Sequence, residues 1–203
     1  TCAAARPHPG RVSETRKLEQ THLVCSWPAP PAGDDRLFAA RLMAEVFGGG
    51  MSSRLFQEVR ETRGLVYAID AHIDVLEDDG RLSVYAGCAP KNARTVASIV
   101  REQLGVLADR GPTEPELNRA KAVARAQMLM GLEAPSARAE ARVSQVFLRD
   151  RLMQVDEIRA KLDSVTVEEI QALAYAALEG PDCAAVIGPS AGHGALAAFE
   201  AQS

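Results

Sequence analysis

The chain has 203 residues, 47% hydrophobic and 25% charged, enough to bury one good core in a large domain or two small ones, with no sign of disorder. A formal net charge of -4, Lys and Arg spread rather than clustered, and only 4% aromatic residues argue against nucleic acid or an anionic membrane as a partner. No stretch reaches the roughly 20 apolar residues that span a bilayer, and residues 1–11 lack the apolar segment of a signal peptide.

Residues 1–13 contain Pro, Ala and Gly and read as a linker or disordered lead-in to a domain over 14–189, with a tail over 190–203. A first strand is predicted over 14–27, polar at first and apolar at Leu23, Val24 and Cys25, stopped by Pro28, Pro30 and Pro31. Asp34 or Asp35 caps a helix running to Phe47, with Leu37, Phe38, Leu42 and Phe47 on its apolar face, and three glycines end it. A second helix over 52–63 buries Leu55, Phe56 and Val59 and leaves Arg60 on the flank of that face.

Over 66–76 the alternation of Tyr67, Ile69, Ala71, Ile73 and Val75 with Asp70, His72 and Asp74 predicts a strand with one wetter face. Asp79-Gly80 turns it into a partner strand over 82–88. After Pro90 comes a helix carrying Val96, Ile99, Val100, Leu104 and Leu107. Capping-box patterns at Thr113/Glu116 and Thr166/Glu169 open two more helices, with another over 136–148 between breaks at Pro135 and Asp150. A short apolar strand over 183–187 closes the domain. The sum is an α+β fold, a mostly antiparallel sheet with helices packed on one face, leaving the other face for water or a partner.

The four histidines, His8, His22, His72 and His193, form no His-x-x-Glu-His arrangement that could hold zinc beside a general base. His22 and His72 fall on separate strands and read as surface or hydrogen-bonded residues. Cys2, Cys25, Cys88 and Cys183 have no Cys-x-x-Cys spacing, and three stand in apolar strand-like runs. They read as buried free thiols, which fits a reducing compartment and, with it, a cytoplasmic location. Gly48, Gly49 and Gly50 are not followed by Lys-Ser/Thr, so they make no phosphate loop. They suit a mobile segment that lets another backbone approach or acts as a hinge.

The most specific segment is Ser52-Ser53-Arg54-Leu55-Phe56-x-x-x-Arg60-Glu61 with Gly64 and Tyr67, following those glycines. Together with Leu18-Glu19-Gln20-Thr21-His22-Leu23, Gly111-Pro112-Thr113-Glu114, Met130-Gly131-Leu132-Glu133 and Val186-Ile187-Gly188-Pro189, it resembles the C-terminal, non-zinc half of a mitochondrial-processing-peptidase-like metallopeptidase of the pitrilysin family. The resemblance covers about residues 14–189. It implies one half of a two-domain clam-shell, with zinc, its ligands and the water-activating glutamate in a separate N-terminal half or partner subunit, and no metal on this chain. It further implies a peptide substrate, contacted by an arginine and a tyrosine seven positions apart, the spacing of Arg60 and Tyr67, and by the glycine segment Gly48, Gly49 and Gly50. The chain alone is expected to be inactive. A non-catalytic partner subunit, a structural member of a peptidase-like complex and association with a second copy of the chain stay open as alternatives.

Overall fold

The computed structural model describes residues 7–131 and 133–199. Its five strands are β1 (Gly10–Thr15), β2 (Thr21–Ala29), β3 (Val66–Val75), β4 (Gly80–Cys88) and β5 (Cys183–Gly188), in the order β1-β5-β2-β4-β3. Every neighbouring pair is antiparallel except β1 with β5, so the expected α+β layer with a mostly antiparallel sheet is what forms. The helices are α1 (Leu37–Gly48), α2 (Ala93–Arg110), α3 (Glu114–Gly131), α4 (Pro135–Arg149), α5 (Val155–Ser164) and α6 (Val167–Glu179).

Alternate strand residues form the core face. Leu23, Cys25 and Trp27 of β2, Leu82, Val84 and Ala86 of β4, and Ala184 and Val186 of β5 are all buried. α1 lies deepest in the helical layer. Ten of its twelve residues are buried, which fits a helix enclosed on nearly all sides, and only Arg41 and Glu45 reach the surface. α2 and α6 complete the layer through Leu104, Leu107, Ile170 and Ala174. The opposite sheet face carries His22, Val24, Tyr85, Asp70 and His72 and has no helix of the described residues over it.

Several boundaries differ from the sequence expectation. The single strand expected over 14–27 is two strands, and β1 takes residues 10–13 from the expected lead-in. Pro28 does not stop β2, because β5 pairs with β2 only as far as Ser26, so Pro28 has β4 alone beside it and its missing N–H breaks no bond on the other side. α1 begins after Arg36, with Asp34 instead accepting from the Arg36 N–H at 2.8 Å in the preceding turn. Residues 190–199 of the expected tail are a 3₁₀ segment docked on the core. Phe199 packs 6.0 Å from Trp27, and its ring lies beneath the guanidinium groups of Arg11 (5.4 Å) and Arg101 (5.9 Å). Asp182 ties both arginines to this corner, ion-pairing with Arg11 and with Arg101 at 2.7 Å.

Both capping boxes form. Thr166 accepts from the Glu169 N–H, and Glu169 accepts from the Thr166 N–H at 2.9 Å. The Thr113/Glu116 box has a second task, since Glu116 also receives both Nε and Nη2 of Arg54 at 2.8 Å while Arg54 Nη2 reaches the Gly111 carbonyl at 3.0 Å. This fork-on-carboxylate pair, little exposed on either side, pins the segment after the glycines to the start of α3. The Arg54 hydrogen bonds, with those of Thr113, hold Glu116 from 4.5 down to about 2. A carboxylate lowered on folding contributes stability that is complete above the unfolded value and is lost as pH falls through the folded one. Glu116→Gln should therefore cost roughly 1–3 kcal/mol at pH 7, and urea titrations from pH 6 to pH 2 should show the wild type losing its advantage over the variant.

Candidate functional site

The site expected from sequence begins where α1 ends. A Cβ on Gly48 would stand 2.6 Å from the Ala71 Cβ and 2.7 Å from its nitrogen, so the helix end is pressed against β3 at a place that admits no side chain. Gly49 donates to the Glu45 carbonyl at 3.2 Å, and a Cβ there would strike the Glu45 carboxylate at 2.4 Å. Burial pushes the Glu45 carboxyl upward. Gly50 is open, its nearest such neighbour being Glu45 at 3.7 Å. The first glycine thus serves packing, and the second and third are exposed at the surface.

The chain then turns through Met51 to Ser53, stapled by Gln57 Nε2 to the Met51 carbonyl at 2.7 Å, and the expected helix over 52–63 forms with a π-helical segment, Phe56–Thr62. Leu55 and Val59 are its buried anchors. Its end is closed by two bonds, Leu65 N–H to the Val59 carbonyl at 3.0 Å and Gly64 N–H to the Arg60 carbonyl at 3.1 Å, with Gly64 at φ +58°. These are the bonds of a Schellman end, each one residue wider, as π-helical winding requires. Asn92 Nδ2 holds the following Leu65 carbonyl at 3.2 Å.

Three arginines lie in this block, and their surroundings differ. Arg54 is committed to Glu116, and Arg63 to Glu58 through two contacts of 2.8 and 2.6 Å. Arg60 is exposed, has no carboxylate partner among the described residues, and rests over the Phe56 ring with its guanidinium carbon 5.0 Å from the centroid. A cation held over an aromatic face is attracted by the ring and still has N–H donors to offer a second partner.

Tyr67 lies on β3 where regular pairing fails. Val66 faces Cys88 and Ala68 faces Gly87, so Tyr67 is the extra residue of a β-bulge. Strict alternation with Ile69, Ala71 and Ile73 would set Tyr67 in the core; the bulge turns it outward to 60% exposure while Val66 and Ile69 stay buried. The structure therefore exposes Arg60 near the end of the helical segment and Tyr67 near the start of β3, with the connection that reverses at Gly64 between them. On the neighbouring sheet face His22 Nδ1 and Tyr85 Oη are 2.8 Å apart, and His72 sits between Asp70 (3.1 Å) and Asp74 (3.5 Å). Sequence reasoning gave Arg54 no role; its clue was the spacing to the Thr113/Glu116 box, which is visible only once α3 is placed beside the turn.

Among the described residues no three His, Cys, Asp or Glu side chains are grouped so as to hold a metal ion. Cys25 and Cys88 are buried free thiols, with burial raising Cys25 strongly and Cys88 to about 11, while Cys183 is partly exposed; Cys2 lies outside the described residues. No helix among the described residues is long and apolar enough to cross a membrane.

The model of the family described as "Peptidase M16 inactive domain" matches residues 3–124. The chain belongs to this family. An uncharacterized zinc protease of Streptomyces coelicolor is 36% identical over 174 residues, which are 86% of this chain and 38% of that protein. One from Mycobacterium tuberculosis is 36% identical over 193 residues, 92% of this chain and 44% of that protein. The chain thus spans less than half the length of these relatives. Among solved structures, the peptidase M16 inactive domain from Pseudomonas fluorescens superposes with a TM-score of 0.79 at 21% identity, over 93% of this chain and 47% of that one. A chain of complex III2 from Candida albicans gives the same TM-score at 16% identity, over 92% and 46%. At these identities the M16 inactive domain shares a fold with both.

The bulge sets a sharp contrast for stability. Tyr67→Ala should change the unfolding free energy by no more than about 0.5 kcal/mol, whereas Ile69→Ala, two residues along the same strand, should cost about 2–5 kcal/mol. Chemical denaturation of the two variants reads this directly; equal large losses would place Tyr67 in the core.

Proposed function

We propose that this M16 inactive domain is the peptide-binding half of a zinc-dependent metalloendopeptidase, contacting substrate through Arg60, Tyr67 and the exposed backbone of Gly49 and Gly50, with Gly48 serving packing, and inactive by itself. The observation that carries the reading is the exposure of both residues on either side of Gly64, an arginine with no carboxylate partner among the described residues and a tyrosine turned outward by a bulge. Neither placement serves the core. Zinc, held in the other half or in a partner subunit, supplies the metal chemistry of peptide hydrolysis. This chain's share is binding and orientation. The Arg60 fork donates to a peptide carbonyl or carboxylate, the Tyr67 hydroxyl donates to oxygen on which negative charge develops, and the exposed backbone at Gly49 and Gly50 gives an extended peptide room to approach.

The names of the relatives, zinc proteases of bacteria, support the peptidase reading, and their greater length supports a second half that carries the metal. If the domain instead only supported a larger assembly, Arg60 and Tyr67 would be dispensable.

In the intact zinc-containing protein, Arg60→Ala should lower kcat/KM for a peptide substrate on the order of 10²-fold. Zinc content and the melting temperature should be nearly unchanged, and Arg60→Lys should recover only part of the loss because it lacks the planar fork. Unchanged turnover in Arg60→Ala would remove the residue from the site.

A further inference from the structure

α4 is amphipathic in the reverse sense. Its side toward its own domain presents Ala137, Ala141 and Gln145 to a cleft of about 600 Å³ that also borders α1, α3, α5 and β3. The opposite side carries the large apolar residues Val143, Val146 and Phe147, which are 52%, 48% and 79% exposed. No residue of α4 is buried. The helix is held mainly near its C-terminal end, where Arg149 stacks over Phe38 at 5.5 Å and Gln145 accepts from the Met153 N–H at 2.8 Å. Leu129 and Met130 at the end of α3, and Leu152 after α4, are also more than 40% exposed and extend the same stretch of chain. A helix meant to pack on its own domain would turn its bulky residues inward. An exposed run of this size on a folded chain marks an interaction surface.

We infer that the outer stripe of α4, Val143, Val146 and Phe147, is the surface on which the zinc-bearing half docks, an inference that rests on the reading of this domain as half of a peptidase. Two observations select that occupant. The matched segment is only 38% and 44% of the length of the two relatives described above, so most of such a polypeptide lies outside it, and a linked half meets the stripe at high effective concentration. A second copy of this chain fits poorly, because α4 exposes Arg138 and Arg142 against Glu140 alone, and a two-fold contact would bring the same positively charged edge to both sides. The fitting surface on the other half is apolar with an acidic rim.

The test is the rate of N-ethylmaleimide modification of Phe147→Cys, mapped by mass spectrometry, in the 203-residue chain and in the full-length protein with its zinc-bearing half. Modification should be at least about tenfold slower in the full-length protein, independent of concentration, as a side chain desolvated at an interface centre requires. Equal rates overturn the assignment. Protection that appears in the 203-residue chain and grows with its concentration also overturns it, by making the occupant a second copy. Val143→Cys provides the same readout should the first variant fold poorly. Zinc content and peptide hydrolysis of the same full-length sample report separately on the peptidase reading, so protection without hydrolysis would sink that reading and leave the docking surface standing.

Discussion

The space between residue 48 and Ala71 holds no side chain, and the arrangement of the surface block follows from that constraint. α1 is the most enclosed helix, and its last residue touches the edge strand at distances a Cβ could not tolerate. Because the helix ends flush against β3, the chain leaves it at a set point on the rim of the sheet. It then has only the span 49–65 in which to turn, bury Leu55 and Val59, and return as the strand it has just touched. Arg54 on Glu116 closes this excursion from the far side, linking it to the α2–α3 junction through the Gly111 carbonyl. Two tight fixings, one steric and one ionic, confine a segment whose outer surface is otherwise irregular.

Within the confined segment, two departures from regular geometry reinforce each other. The π-helical widening supplies one extra residue per turn, Gly64 absorbs the reversal at positive φ, and the bulge at Tyr67 inserts one extra residue into the ladder. Each would be a fault in a domain selected for packing alone. Together they allow Val66 and Ile69 to remain in the core while the residue next to Val66 faces outward.

Much of this was legible in the sequence, and what was not has physical causes. β2, α1, the β3–β4 hairpin, α2, both capping boxes and β5 announce themselves through alternation, helical spacing or turn chemistry, all local signals. β1, with the sequence Gly-Arg-Val-Ser-Glu-Thr, has no apolar alternation, because it is an edge strand held by parallel pairing to β5 more than 170 residues later. The docked residues 190–199 are equally non-local, secured by Arg11 and Arg101 around Phe199, contacts that no window of sequence contains. α5 escaped notice because it follows the Asp150 break without a cap signal of its own. In the candidate site, the exposure of Arg60 was legible from its flank position. Tyr67 was readable only as a conflict between alternation and motif, since a bulge is a property of two strands and the sequence displays one at a time.

The bulge also bears on what the domain is for. Restoring regular alternation would bury the Tyr67 ring, and burying a large side chain is worth about 1.5–3 kcal/mol, a substantial gain for a domain whose whole margin is on the order of 5–15 kcal/mol. Replacing Tyr67 by a small residue on the existing bulge would at least remove exposed apolar surface at little cost to the fold. A domain retained only as scaffold would lose nothing by either change. A domain that must offer a phenol at this position would lose it if the ladder closed up, because regular alternation sets Tyr67 on the core side. Under the proposed peptide-binding reading, the stability forgone at Tyr67 is the cost of presenting the phenol, and the same reasoning extends to Arg60, held over an aromatic ring beside two arginines that have both found carboxylates.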